Sequence, residues 1–238
     1  MDDHTAARLN AINQQFYEIT AEDFDATRSE PWPGWLRLLP LLRPRGPSRL
    51  RILDVGCGNG RFGLFLAERF GGEALHYTGI DSNPALLTKA RARLGAVPGM
   101  QFDLERRDLI ASGLGPGRYD VVAAFGLLHH LPGTQRRIDF VQQLSARVDA
   151  GGLLVFTCWR FMEYERFRAR TADWPDDLMR EPGDYLLDWR RGTRALRYCH
   201  HVDDDELGIL IAASGMRLLS IYRADGHSRD VNLYCILT

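Results

Sequence analysis

Lysine is all but missing from this chain. Lys89 is the single lysine among the 30 basic residues of its 238-residue sequence, and the rest are arginine. A surface of mobile ammonium groups is therefore excluded. A planar, bidentate grip on a carboxylate or phosphate is what arginine supplies instead. Net charge is lacking too: 31 acidic residues leave a formal net charge of −1, which is not the balance of a general nucleic-acid binder. The four cysteines, Cys57, Cys158, Cys199 and Cys235, are scattered with no Cys-x-x-Cys pair. That pattern gives no structural zinc site, so no metal is expected, and we expect reduced thiols in a cytoplasmic protein. There is no apolar run long enough to span a bilayer, no signal-peptide pattern, no internal repeat and no low-complexity tract. What remains is a chain 45% apolar, enough for one α/β domain with an appendage.

The chain is organised around residues 51–60, RILDVGCGNG. Ile52, Leu53 and Val55 read as a short buried parallel strand. Gly56, Gly58 and Gly60 follow at once, and the apolar pattern from Phe62 to Phe70 predicts a helix. Glycine suits such a turn because a Cβ would block a ligand's approach and because the turn uses positive φ. A dinucleotide loop, G-x-G-x-x-G, would need glycine where Arg61 stands. A phosphate loop would need Gly-Lys-Ser/Thr, which is absent. The pattern is instead Asp54-x-Gly56-x-Gly58-x-Gly60.

That pattern resembles the first motif of the class I S-adenosylmethionine methyltransferases. The resemblance implies that the loop lies under the amino-acid part of S-adenosylmethionine, with Asp54 near its ammonium. It also implies a Rossmann-like α/β fold: a seven-stranded, mostly parallel sheet with an antiparallel last strand and helices on both faces. The later segments are consistent with this order. A second strand, His76 to Ile80, ends in Asp81 and Ser82, where a carboxylate can accept both ribose hydroxyls. Helix Pro84 to Leu94 and a third strand, Gln101 to Leu104, lead to Asp108 and Leu109, matched to the family's adenine-facing pair. The fourth strand, Tyr119 to Gly126, is apolar on both sides and carries Phe125, a further cofactor-wall candidate. At its end lie His129 and His130. Of these His129 is the first choice to face the pocket, and a histidine pair alone makes a poor metal site.

Helix Arg136 to Val148 and strand Leu153 to Cys158 follow. From Trp159 to Arg197 the pattern loosens, with nine arginines, eight acids and seven aromatics interleaved. This stretch reads as an insertion over the pocket, partly helical at Met162 to Arg170, suited to stacking on a base and gripping phosphate. A solvated charged helix with a small apolar cap fits equally well. Helix Asp204 to Ala213 and a closing hairpin, Met216 to Tyr222 with Val231 to Leu237, end the chain. At its start, helix Ala6 to Phe16 and a second helix, Trp35 to Leu42, form a helical lid over residues 1–48. The methyltransferase domain then covers 49–238, with 159–197 as the inserted cap. Tyr17 and Arg28 are expected to line the site from the lid.

A narrower likeness is carried by Phe16-Tyr17-Glu18-Ile19, Thr27-Arg28 and Pro31-Trp32-Pro33. Leu128-His129-His130, Trp159, Gly183-Asp184, Trp189 and Arg197-Tyr198-x-His200 add to it. Together these are similar to the methyltransferases that esterify 5-carboxymethyluridine at the tRNA wobble position. Cys199 departs from that pattern, which has a second tyrosine there. The likeness implies methyl transfer to a carboxylate, with Arg28 and Arg197 holding it and His129 and His200 donating hydrogen bonds. It implies tRNA as partner and, by analogy with eukaryotic members, a small zinc-binding activator subunit. Three other readings stand beside it. The first is an O- or N-methyltransferase for a small molecule, such as a small carboxylate, with the insertion as lid. The second is a non-catalytic S-adenosylmethionine-binding regulator. The third, a dinucleotide oxidoreductase, is opposed by Arg61.

Overall fold

A computed structural model describes residues 1–26, 30–42, 49–191 and 193–238. Helix α1 (Asp3–Ala26) opens it, and two short 3-10 turns follow, Pro33–Arg37 and Leu39–Leu41. Alternation of strand and helix then sets in: β1 (Leu50–Val55), α2 (Arg61–Phe70), β2 (Leu75–Asp81), α3 (Pro84–Gly95), β3 (Gln101–Arg106), α4 (Leu109–Ser112), β4 (Tyr119–Ala124), α5 (Thr134–Ser145) and β5 (Val148–Trp159). The insertion holds α6 (Glu165–Arg168), β6 (Thr171–Ala172), β7 (Asp184–Arg191) and β8 (Thr193–His200). The chain closes with α7 (Asp204–Ala213), β9 (Leu218–Ala224) and β10 (Asn232–Leu237).

Seven strands form one sheet in the order β3-β2-β1-β4-β5-β10-β9. The first five are parallel, and β10 runs antiparallel to both its neighbours. This is the doubly wound sheet with an antiparallel last strand that the sequence leads one to expect. Side chains alternate across β1: Ile52 enters the core on the α2 side with Phe65, Tyr77 and Trp35, while Leu53 and Val55 enter the opposite core with Val141, Leu144 and Leu210. The strand order reverses between β1 and β4. Ligands of open α/β sheets bind outside the carboxyl ends of strands at such a point.

Three segments differ from the sequence expectation. Helix α1 runs through Ala26 rather than stopping at Phe16. No proline or glycine interrupts it, and its last turn is tied down where Asp25 accepts from Asn59, Lys89 and Arg93. The single helix expected over Trp35 to Leu42 is two 3-10 turns, with a proline near the start of each. The insertion, expected to be loose with a helix at Met162 to Arg170, has only the short α6 and a three-stranded antiparallel sheet, β6-β7-β8. Helix α1 covers one face of that sheet, packing Leu9 on Leu186 and Tyr198, and Phe16 on Trp189 and Ala195. The helix and the inserted sheet thereby bury apolar faces that neither could bury alone.

Candidate active site

The carboxyl ends of β1, β2 and β4, the glycine loop, α1 and the inserted sheet surround one cavity of about 610 Å³. The loop is built by backbone hydrogen bonds. Gly56 and Cys57 donate to the Ile80 carbonyl at 2.8 and 3.0 Å. Gly58 donates to one oxygen of Asp81 at 2.8 Å, and Asn83 donates to the other at 2.8 Å. Asp81 thus fixes the loop while lining the cavity. Its burial raises its pKa against the lowering effect of these N–H groups. Gly58 has φ +54°, and a Cβ built there meets no atom within 4 Å. Because Gly58 lines the cavity, a side chain would stand in the ligand space. Gly56 lines it too, but Gly60 does not. Gly60 caps α2, and a Cβ there would come within 3.1 Å of Ala90, so its lack of a side chain serves the approach of α3.

Asp54 is 2% exposed and reaches the cavity wall. Burial pushes its pKa up to about 7 although Tyr77 donates to it at 2.6 Å. A buried carboxyl of this kind is poised to ionise against an incoming cation. Ser82, Leu109 and Phe125 also line the cavity. Asp108 uses one oxygen to cap α4, accepting from Ile110 at 2.9 Å. Its other oxygen accepts from Asn10 and Gln14 of α1, each at 2.9 Å. These two amides were not read from the sequence, which shows them only as polar residues on a helix.

At the opposite end Tyr17, His129, His130, Trp159, Trp189 and Arg197 line the cavity. His130 is held through both ring nitrogens, by the Tyr17 hydroxyl at 2.8 Å and the Tyr198 carbonyl at 3.1 Å. His129 is buried, with its ring 5.2 Å from that of Trp159. The Arg197 guanidinium lies 4.6 Å from the Trp159 ring, 5.4 Å from Phe16 and 5.8 Å from Trp189. Among the described residues it makes no ion pair. Asn13 joins α1 to this end, accepting from the Tyr198 N–H at 2.8 Å and donating to the His130 carbonyl at 3.4 Å.

Arg28, the other expected clamp, lies outside the described residues. His200, expected to face the acceptor, is not on the cavity wall. Its ring nitrogens meet Asp184 at 2.7 Å and Glu206 at 2.6 Å inside a buried network. Tyr198 also donates to Asp184, and Arg137 donates to Glu206. His200 fastens β7 and β8 to α7. The sequence hides this, because nothing local marks Asp184 and Glu206 as its partners.

The Cys199 sulfur and ring nitrogens of His129 and His130 lie within 4.8 Å of one another. Burial pushes the Cys199 thiol up to about 11, and both His130 nitrogens are engaged. His129 and His130 line the cavity, whereas Cys199 is buried off its wall. No helix among the described residues is long and apolar enough to cross a membrane.

A family model described as a methyltransferase domain matches residues 53–154. The mouse tRNA (carboxymethyluridine(34)-5-O)-methyltransferase ALKBH8 is 27% identical over 158 residues, which cover 66% of this chain and 21% of that protein. The tRNA (carboxymethyluridine(34)-5-O)-methyltransferase of Schizosaccharomyces pombe is 26% identical over 173 residues, covering 71% of this chain and 66% of that protein. The chain therefore spans less than two thirds of either relative. In three dimensions an S-adenosylmethionine-dependent methyltransferase from Clostridium acetobutylicum matches with a TM-score of 0.65. It is 11% identical and covers 94% of this chain and 98% of its own. At that identity the likeness is one of fold.

Proposed function

We propose that this chain, an S-adenosylmethionine-dependent methyltransferase related to the tRNA carboxymethyluridine methyltransferases, esterifies a carboxylate, that of a modified wobble uridine in tRNA. The observation that carries the reading is Arg197, a guanidinium on the cavity wall among three aromatic rings with no carboxylate partner among the described residues. The aromatic faces favour the cation and leave its planar N–H edge to meet an acid.

The cavity suits S-adenosylmethionine on its own chemistry. Asp54 is placed for an ammonium and Asp81 for ribose hydroxyls. Gly56 and Gly58 leave room for the methionine chain. The Leu109 N–H offers a donor to adenine, and Asp108 accepts from its amino group by exchanging one of the α1 amides, Asn10 or Gln14, for it, while Tyr17, Ser82 and Phe125 complete the wall. When bound, this ligand supplies an electrophilic methyl group on a sulfonium.

The residues at the other end position and desolvate. A carboxylate with an ordinary pKa near ~4 is ionised at neutral pH and needs no general base. Arg197 would take one oxygen and His129 the other, with Arg28 as a second clamp. Trp159 and Trp189 exclude water, which otherwise solvates the anion against reaction.

A small carboxylic acid is the second acceptor class, favoured by the net charge of −1, because tRNA binding gains from phosphate neutralisation. The test is a methyl-transfer assay with labelled cofactor and total tRNA, followed by nucleoside mass spectrometry. The assay is run with and without cell extract, which would supply a zinc-binding activator subunit. A methyl ester on a wobble uridine, lost in mild alkali, supports the proposal. Cofactor binding without label in tRNA under either condition rejects it for a small acid. Cofactor binding with no methyl transfer to any acceptor offered leaves a non-catalytic regulator.

A further inference from the structure

Arg61 begins α2 directly after the glycine loop and lines the cavity beside Gly58 and Asn59. Its guanidinium carbon lies 5.5 Å from the Trp32 ring and 5.3 Å from the Trp35 ring. One terminal nitrogen, Nη1, donates to the Glu30 carbonyl at 2.8 Å. Nε is buried and has no hydrogen-bond partner. No described carboxylate is within ion-pair distance of Arg61. The acids nearest in charge are committed elsewhere. Asp225 accepts from the Gly34 N–H, Asn232 and Tyr234, and Asp54 accepts from Tyr77. Burial pulls the Arg61 pKa down to about 10, against the raising effect of Tyr234, Asp225 and Asp54. A cation taken out of water with part of its donor edge unused is costly until an anion meets it.

From this we infer that Arg61 is the receptor for the carboxylate at the methionine end of S-adenosylmethionine, on the opposite side of the glycine loop's ligand from Asp54. The inference rests on the S-adenosylmethionine reading and adds to it a residue that otherwise counts only against a dinucleotide loop. Charge complementarity supports it, since the ligand's amino-acid end carries one ammonium and one carboxylate and the wall beside the glycine loop offers the buried acid Asp54 and the half-buried base Arg61. The first N–H groups of the ten-residue helix α2 add positive potential on the same side. The guanidinium that receives the anion also holds the Glu30 carbonyl and lies against Trp32. Filling its remaining donors therefore fixes the Glu30–Gly34 segment that forms this side of the cavity.

The test is calorimetry with S-adenosylhomocysteine and with S-adenosyl-3-thiopropylamine, which keeps the adenosine, sulfur and amine but lacks the carboxylate. The native chain is compared with R61Q and R61K. We expect R61Q to lose on the order of 30-fold in affinity for S-adenosylhomocysteine and less than about 3-fold for the amine, as one buried charge-assisted pair implies. R61K should fall between the two because it keeps the charge and loses the fork. R61Q gives up the Glu30 hydrogen bond and the Trp32 and Trp35 contacts together with the half-buried charge, so the ligand-free variant should melt cooperatively within a few degrees of the native chain, which checks that it folds. Equal losses for both ligands, or none for either, overturn the assignment while leaving the cofactor reading intact. Failure of the native chain to bind S-adenosylhomocysteine at all sinks both.

Discussion

The Tyr17 hydroxyl meets Nε2 of His130 at 2.8 Å, while Nδ1 of the same ring faces the Tyr198 carbonyl at 3.1 Å. A carbonyl only accepts, so Nδ1 carries a proton and Nε2 is left to accept from the phenol. Helix α1, the turn after β4 and the inserted strand β8 are thus joined through one imidazole. Replacing Tyr17 with phenylalanine should cost about 1 kcal/mol of stability, read as a lower urea midpoint with an unchanged slope. It should also slow turnover more than it weakens cofactor binding.

Gly58→Ala separates folding from binding. The left-handed backbone costs an alanine about 1–2 kcal/mol, and no neighbouring atom obstructs the new methyl within the protein. The variant should fold, with a modestly lower melting temperature. S-adenosylhomocysteine affinity should fall at least about tenfold, since the methyl occupies ligand space. Full affinity would place the ligand elsewhere.

Asp54 predicts a pH dependence of cofactor binding. Its carboxyl titrates at about 7 in the ligand-free protein because burial penalises the charge, and the proposed ammonium contact requires the ionised form. Affinity should therefore be level above pH 7 and weaken by up to about tenfold for each unit below it. Binding at pH 6 should release a proton, seen as a heat that changes with the buffer's ionisation enthalpy. In Asp54→Asn this proton release should vanish.

His200 predicts a pH dependence of stability with the opposite sign. Burial lowers its pKa, but contacts with Asp184 and Glu206 outweigh that and raise it above 6.5. Its contribution is fully present below 6.5 and is lost as pH rises through the folded-state value. Glu206 is raised by burial but lowered further by His200 and Arg137, so it ends below 4.5. Its contribution is present above 4.5 and lost on acidification. The stability advantage of the native chain over His200→Gln should be greatest between pH 4.5 and 6.5 and shrink in alkali, as measured by thermal melts across that range.

Arg197→Lys keeps the charge but loses the planar fork. Under the proposed mechanism, turnover of the true acceptor should fall on the order of 100-fold, with S-adenosylhomocysteine affinity unchanged. An acceptor methylated at the native rate by this variant would not be gripped at Arg197.

The sheet was legible in the sequence because buried parallel strands have little freedom of composition. Ile52, Leu53 and Val55 can be read in one line, as can Val121 to Ala124. The glycine loop and Asp81 were legible because their spacing is local. The inserted strands were not, since β7 and β8 carry arginine and acid among their apolar residues and are covered by α1 on one face. The tail of α1 was hidden because acids, not an apolar stripe, fill Glu18 to Asp25. Among the site residues, Asn10, Asn13 and Gln14 act through partners far away in sequence. Arg61 was visible, but only as a missing glycine. His200 shows the limit from the other side: a motif placed it beside Arg197, yet alternation along β8 turns its ring away from the cavity and toward two acids.

The place of β10 has a consequence for how the molecule is made. Its six residues are all buried, and it lies between β5 and β9. A nascent chain that has emerged only through β9 has synthesised that strand with no neighbour to pair with. Until β10 arrives, β5 presents an open edge and β9 has no strand beside it. The last two strands must therefore enter the sheet together, as a hairpin closing onto β5. A ribosome stalled between them would hold a sheet complete through β5 but with an exposed, aggregation-prone edge.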